Sequence, residues 1–123
     1  MAKIIYIGIF LNAEIKGSMP IAPKDGQHVT LAFRPTPDQL AALEPMYGTR
    51  VECRVVGYGN DGNNEGIAVE FDGVPYFTGL IKHITLSLSP GAKPLNTAKL
   101  DFGPNIPEHI PNILYGEIKP FCG

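Results

Sequence analysis

Two short segments of the chain each carry a histidine and a threonine two residues apart. Gln27 to Pro35 reads QHVTLAFRP, and Lys82 to Pro90 reads KHITLSLSP. Both fit the pattern H-[VI]-T-L-x-[FL]-x-P, at an offset of 55 residues in a chain of 123. Residues i and i+2 of a β-strand point to the same face. His28 and Thr30 therefore point together, as do His83 and Thr85, while Val29, Leu31, Ile84 and Leu86 point into a core. Each segment thus offers one imidazole beside one hydroxyl. Two such pairs converging on one cleft suit metal-free phosphodiester chemistry. A neutral imidazole removes the proton of the attacking oxygen, and the opposed imidazolium protonates the leaving oxygen. Threonine hydroxyls donate to non-bridging phosphate oxygens, where charge is held or develops. The attacking group is water or a hydroxyl of the substrate itself. The spacing leaves open which histidine is acid and which is base.

The elements that must position these residues are short. Fourteen glycines and twelve prolines punctuate brief apolar runs, the pattern of many strands and turns. Lys3 to Asn12 reads as a buried first strand, residues 13–26 as a long surface loop, and Gln27 to Phe33 as the second strand. Thr36-Pro37-Asp38-Gln39 is a helix start: threonine caps, proline takes the first helical position, and glutamine completes a capping box. Leu40, Leu43 and Met46 form that helix's apolar stripe, and Gly48 is its stop. Thr49 to Gly59 alternates as a strand; Asn60 to Gly66 is a turn, and Ile67 to Phe71 returns as its hairpin partner. Ile81 to Leu88 is a further strand, Asn96 to Leu100 a weak helical turn, residues 103–112 irregular, and Leu114 to Phe121 a last strand. About six strands with one or two helices predict a single α+β domain over 1–123. The repeated motif at half-chain spacing predicts two related, pseudo-symmetric halves whose antiparallel sheets form a concave cleft.

Composition narrows the partners. Ten basic against twelve acidic residues give a net charge of −2, which argues against a long nucleic acid as obligate partner. The longest apolar run, Ile4 to Leu11, is too short to cross a bilayer, which takes roughly 20 residues. With no signal-peptide pattern, a cytoplasmic location is expected, and Cys53 and Cys122 are expected to be free thiols. No cofactor motif is visible. A metal site on His28 and His83 is disfavoured, because no Asp or Glu lies at i±2 of either and a catalytic zinc takes a third ligand.

Other residues extend the motif pair. Tyr6 reaches the cleft if its strand face, shared with Ile4 and Phe10, is the concave one. Glu117, on the last strand, is a candidate to hydrogen-bond a base or orient a histidine. Lys93, in the loop Ser89-Pro90-Gly91-Ala92-Lys93 behind the second motif, is a candidate to cap a phosphate. Tyr58 and Tyr76 are candidates to stack on a nucleobase, and His109 reads as a surface residue.

Paired H-x-[TS] motifs in a small α+β chain resemble the 2H phosphoesterase superfamily, with His28-Val29-Thr30 and His83-Ile84-Thr85 matching the two motifs. The second motif and its tail, HITLSLSPGAKPLNTAKL, are most similar to one branch. That branch includes the phosphodiesterase module of fungal tRNA ligases and phage anti-CBASS phosphodiesterases, which destroy cyclic-nucleotide alarm signals. The resemblance implies a compact version of the two-lobed 2H fold. It implies a metal-independent phosphodiesterase acting on a cyclic di- or trinucleotide, in a host cytoplasm if the chain is viral. RNA-end repair on a 2′,3′-cyclic phosphate, or nucleotide sequestration without turnover, are the alternatives.

Overall fold

Alternating runs of β-branched and apolar residues fold into strands wherever one face can be buried. Six of them do so here, in the computed structural model, which describes residues 3–123. The strands are β1 (Ile4–Leu11), β2 (His28–Phe33), β3 (Arg50–Asn60), β4 (Asn64–Glu70), β5 (His83–Leu88) and β6 (Ile113–Cys122). All pair antiparallel in one sheet of order β2-β1-β6-β3-β4-β5. The fold is α+β. One continuous sheet takes the place of the two sheets expected from the sequence, because β6 pairs with both β1 and β3 and ties the two ends of the chain together.

The sheet curls until its edge strands meet. β2 and β5 come into contact, and the Gln27 side chain donates from Nε2 to the Leu86 carbonyl at 3.3 Å. From the loop after β4, the Phe77 amide donates to the Leu31 carbonyl at 2.8 Å. The inward residues of all six strands form one cluster, including Ile7, Val29, Cys53, Ile67, Ile84 and Ile118. That cluster is the core, and burying it is the main stabilising term.

The one α-helix among the described residues, α1 (Pro37–Leu43), begins as the sequence predicts. Gln39 N donates to Thr36 Oγ1 and Thr36 N donates to Gln39 Oε1, the two bonds of a capping box. A 3₁₀ turn, Glu44–Met46, continues it, and Leu43 plugs into the core. The weak helical turn behind the second motif is a 3₁₀ segment, Pro94–Lys99. Cys53 is buried and Cys122 exposed, and neither is in a disulfide; burial pushes the Cys53 thiol up to about 11. No helix among the described residues is long and apolar enough to cross a membrane.

Candidate active site

Both motifs lie on the strands that close the curl. Along β2, Val29 and Leu31 are buried while His28 and Thr30 are half-buried; along β5, Ile84 and Leu86 are buried while His83 and Thr85 are half-buried. The alternation thus turns both imidazoles and both hydroxyls away from the core. His28 and His83 are close enough for charge on His83 to disfavour charge on His28.

The two imidazoles are held in the same way. His28 Nδ1 lies 2.9 Å from the Gly26 carbonyl, and His83 Nδ1 lies 2.7 Å from the Ile81 carbonyl. In each case the acceptor belongs to the residue two before the histidine. A carbonyl only accepts, so Nδ1 must carry the hydrogen. Each ring therefore presents Nε2 as its working nitrogen. A neutral ring offers a lone pair there and a protonated ring offers a proton, with no change of orientation.

The neighbouring strands repeat this correspondence. Gly8-Ile9-Phe10 pairs with Thr30, Val29 and His28; Gly66-Ile67-Ala68 pairs with Thr85, Ile84 and His83. A register irregularity adjoins each glycine. A Cβ on Gly8 would stand 2.8 Å from the Val29 carbonyl, and one on Gly66 2.9 Å from the Ile84 carbonyl. Both glycines let the motif strand approach closely, which is why a side chain is absent opposite each threonine.

Around His28 the surroundings are aromatic. Its ring stacks on Tyr6 at 4.7 Å between centroids and lies 5.0 Å from Phe10. Tyr6 stacks in turn on Phe121 at 5.0 Å, and the Lys119 ammonium sits 5.0 Å from the Phe10 ring. Tyr6 is only 5% exposed, and its hydroxyl donates to Asp25 Oδ2 at 3.1 Å. Tyr6 therefore meets the site as a ring beneath His28, with its hydroxyl committed elsewhere. Burial and the Asp25 carboxylate push that phenol well above its ordinary range. Burial lowers the His28 imidazole below its ordinary value; the Gly26 carbonyl and Asp25 pull the other way, and His83 adds to the lowering. The neutral form of His28 is favoured.

At the second motif the hydrogen bonds gather on Thr85 and on the carbonyl that holds His83. The Ile81 carbonyl also accepts the Tyr76 hydroxyl at 3.2 Å. Thr85 Oγ1 and Thr97 Oγ1 lie 2.9 Å apart, and Asn64 Nδ2 donates to Thr97 Oγ1 at 3.0 Å and to the Lys93 carbonyl at 2.8 Å. Thr30 has no corresponding side-chain bond among the described residues.

The remaining candidates are dispersed. Lys93 is exposed, with its backbone fixed by Asn64. Glu117 is exposed on the face of His28, but Phe10 stands between them in the ladder, and among the described residues no bond joins Glu117 to either histidine. Main-chain carbonyls do the orienting work expected of it. Lys119, two residues on, places a cation against the aromatic group, across Gly8 from Thr30. Tyr58 donates to the buried carboxylate of Glu65, and Tyr76 packs edge-on to Phe71, so both serve the fold. His109 is exposed, with Nε2 3.1 Å from the Lys16 carbonyl. Two cavities of about 350 and 310 Å³ lie under residues 13–27; the second ends at Gly26 and Gln27, immediately before His28.

Among the described residues no group of three His, Cys, Asp or Glu side chains is arranged to hold a metal ion. Compared with family models, with curated proteins and with solved structures, the chain matches none of them. Any functional reading rests on the site itself.

Proposed function

We propose that this chain is a metal-independent phosphodiesterase that opens small cyclic oligonucleotides, with His28 and His83 as its paired proton-transfer groups. One observation carries the reading. Two H-x-T pairs flank a single seam, and each imidazole is fixed through Nδ1 by the carbonyl two residues before it, leaving both Nε2 atoms for chemistry.

The order of elements supports a two-halves reading of the 2H type. Exchanging β1 with β4, β2 with β5 and β3 with β6 turns the strand order into its own reverse. Each half is then strand, motif strand, helical segment, strand. In this reading the halves share one sheet because each lends its last strand to the other.

His28, favoured neutral, serves as the base, and His83 as the acid. His28 Nε2 takes the proton of water or of a 2′-hydroxyl as that oxygen bonds to phosphorus. His83 Nε2 gives a proton to the leaving oxygen as its P–O bond breaks. Thr30 and Thr85 donate to the non-bridging oxygens. Water leaves a linear product with a terminal phosphomonoester; a 2′-hydroxyl leaves a 2′,3′-cyclic phosphate. The net charge of −2 fits a compact substrate better than a long polyanion.

The test is incubation in EDTA with cyclic di- and trinucleotides and with RNA ending in a 2′,3′-cyclic phosphate, followed by mass spectrometry. A linearised cyclic nucleotide is the expected product. Turnover of the RNA end alone would move the reading to RNA-end repair. Binding without cleavage would make the chain a nucleotide sponge.

A further inference from the structure

We infer that Thr97 and Asn64 form a relay that positions the hydroxyl of Thr85, so that its hydrogen is directed at the substrate. The inference rests on the two-histidine reading for its consequence, but not for its geometry. Thr97 is fully buried and Asn64 is 1% exposed, so neither can be satisfied by bulk water. Asn64 Nδ2 can only donate, and it donates to Thr97 Oγ1. The Thr97 hydroxyl then needs an acceptor of its own, since a buried donor without a partner is strongly disfavoured. The hydroxyl oxygen within bonding distance is Thr85 Oγ1, at 2.9 Å. Either hydroxyl of that pair can donate in principle. Burial decides the direction: Thr97 donates to Thr85, and Thr85, half-buried at the site, keeps its own hydrogen for an outside acceptor.

The local sequence is shaped to allow this. Thr97 Cγ2 occupies the space that a Cβ on Gly66 would fill, and Gly66 pairs with Thr85 in the ladder. A side chain at 66 would push Thr97 away from Thr85. The 3₁₀ segment that carries Thr97 is pinned at its start, where Asn64 also holds the Lys93 carbonyl. Thr97 and Asn64 are positioning residues; they act on the substrate only through Thr85.

The experiment is a double-variant cycle with a structural readout beside it. Thr97→Val keeps the shape and removes the hydroxyl. It is expected to lower kcat about 3- to 10-fold, the worth of one neutral hydrogen bond, with KM little changed. Thr97→Ser should restore most of the loss. In a Thr85→Val background, Thr97→Val should have no further effect on kcat. An equal loss in both backgrounds, or no loss in either, overturns the inference. NMR of the unmodified protein gives the second measurement, independent of activity and of whether variants fold. The Thr97 hydroxyl proton should be protected from exchange and the Thr85 hydroxyl proton should not. A protected Thr85 proton with an exchanging Thr97 proton overturns the direction of the bond. If the wild type turns over no substrate, the phosphodiesterase reading fails, while the NMR result still decides the relay.

Discussion

The two motif copies share a backbone and differ in what surrounds it. At the first copy the imidazole is the supported group: His28 lies against Tyr6 and Phe10, with Asp25 behind Tyr6. At the second copy the hydroxyl is the supported group: Thr85 is tied to Thr97 and through it to Asn64. Among the described residues, Thr30 and His83 have no partner equivalent to those of their counterparts. Near-identical strands can thus be made unequal by what packs on them. Burial against the aromatic rings outweighs Asp25 and favours a neutral ring, which suits a base. A hydroxyl fed by a buried donor suits an anion.

The largest effect is expected from the groups the copies share. His28→Ala and His83→Ala should each lower turnover about 10²–10⁴-fold, with folding little changed because both side chains are half-buried. The double variant should lose less than the product of the two, since residues acting as a unit are not additive. Near-normal rates in either single variant would break the pairing.

The threonines should separate the copies. Thr85→Val is expected to cost about 10²-fold, the usual worth of one preorganised donor, and Thr30→Val only about 10-fold. Equal losses would mean that the Thr97 contact confers nothing on catalysis.

Smaller effects should come from the aromatic side. Tyr6→Phe keeps the stacked ring and frees Asp25, and should cost about 3- to 10-fold. Asp25→Asn removes a charge that raises the His28 pKa. The acid limb of the rate profile should therefore move to lower pH, read as a property of the coupled pair. A limb that stays put would detach His28 from the base role.

The smallest effect is on stability. The His28 pKa lies below its unfolded value of about 6.5, so the unfolded chain binds more protons in that interval. Stability contributed by neutral His28 is present above about pH 6.5 and is lost as pH falls toward its lowered folded value. Urea denaturation at pH 7.5 and 5.5 should show this loss in the wild type, and His28→Gln should flatten it. An equal slope in both would place the protonation elsewhere.

Much of this was legible in the residues. The alternation of HVTL and HITL fixed which side chains face away from the core, and Thr36 with Gln39 marked the helix start. The start of β4 was not legible, because Asn64 and Glu65 are polar yet buried. Their burial depends mostly on partners distant in sequence: Lys93 and Thr97 for one, Ser18 and Ser87 for the other, with Tyr58 across the hairpin. Burial pushes the Glu65 carboxyl up, but the bonds from Tyr58, Ser18 and Ser87 outweigh it and hold the group below its ordinary range. The carbonyls of Gly26 and Ile81 leave no trace in side-chain chemistry, so Glu117 was the candidate orienter instead. The paired G-I-x segments opposite the motifs were a readable signal that the strand pattern alone did not single out. The single sheet depends on β3 pairing with β6, a long-range choice that local periodicity does not encode.

Two imidazoles, one neutral and one protonated, are proposed to break a phosphodiester without a metal. The rate of opening of the best cyclic-nucleotide substrate, followed in excess chelator from pH 5 to pH 9, tests this most directly. An undiminished rate and a bell-shaped profile are expected, because one imidazole must be neutral while the other is protonated and each limb belongs to the pair. Activity abolished by the chelator and restored by a divalent ion, or a profile still climbing at about pH 9, would contradict it.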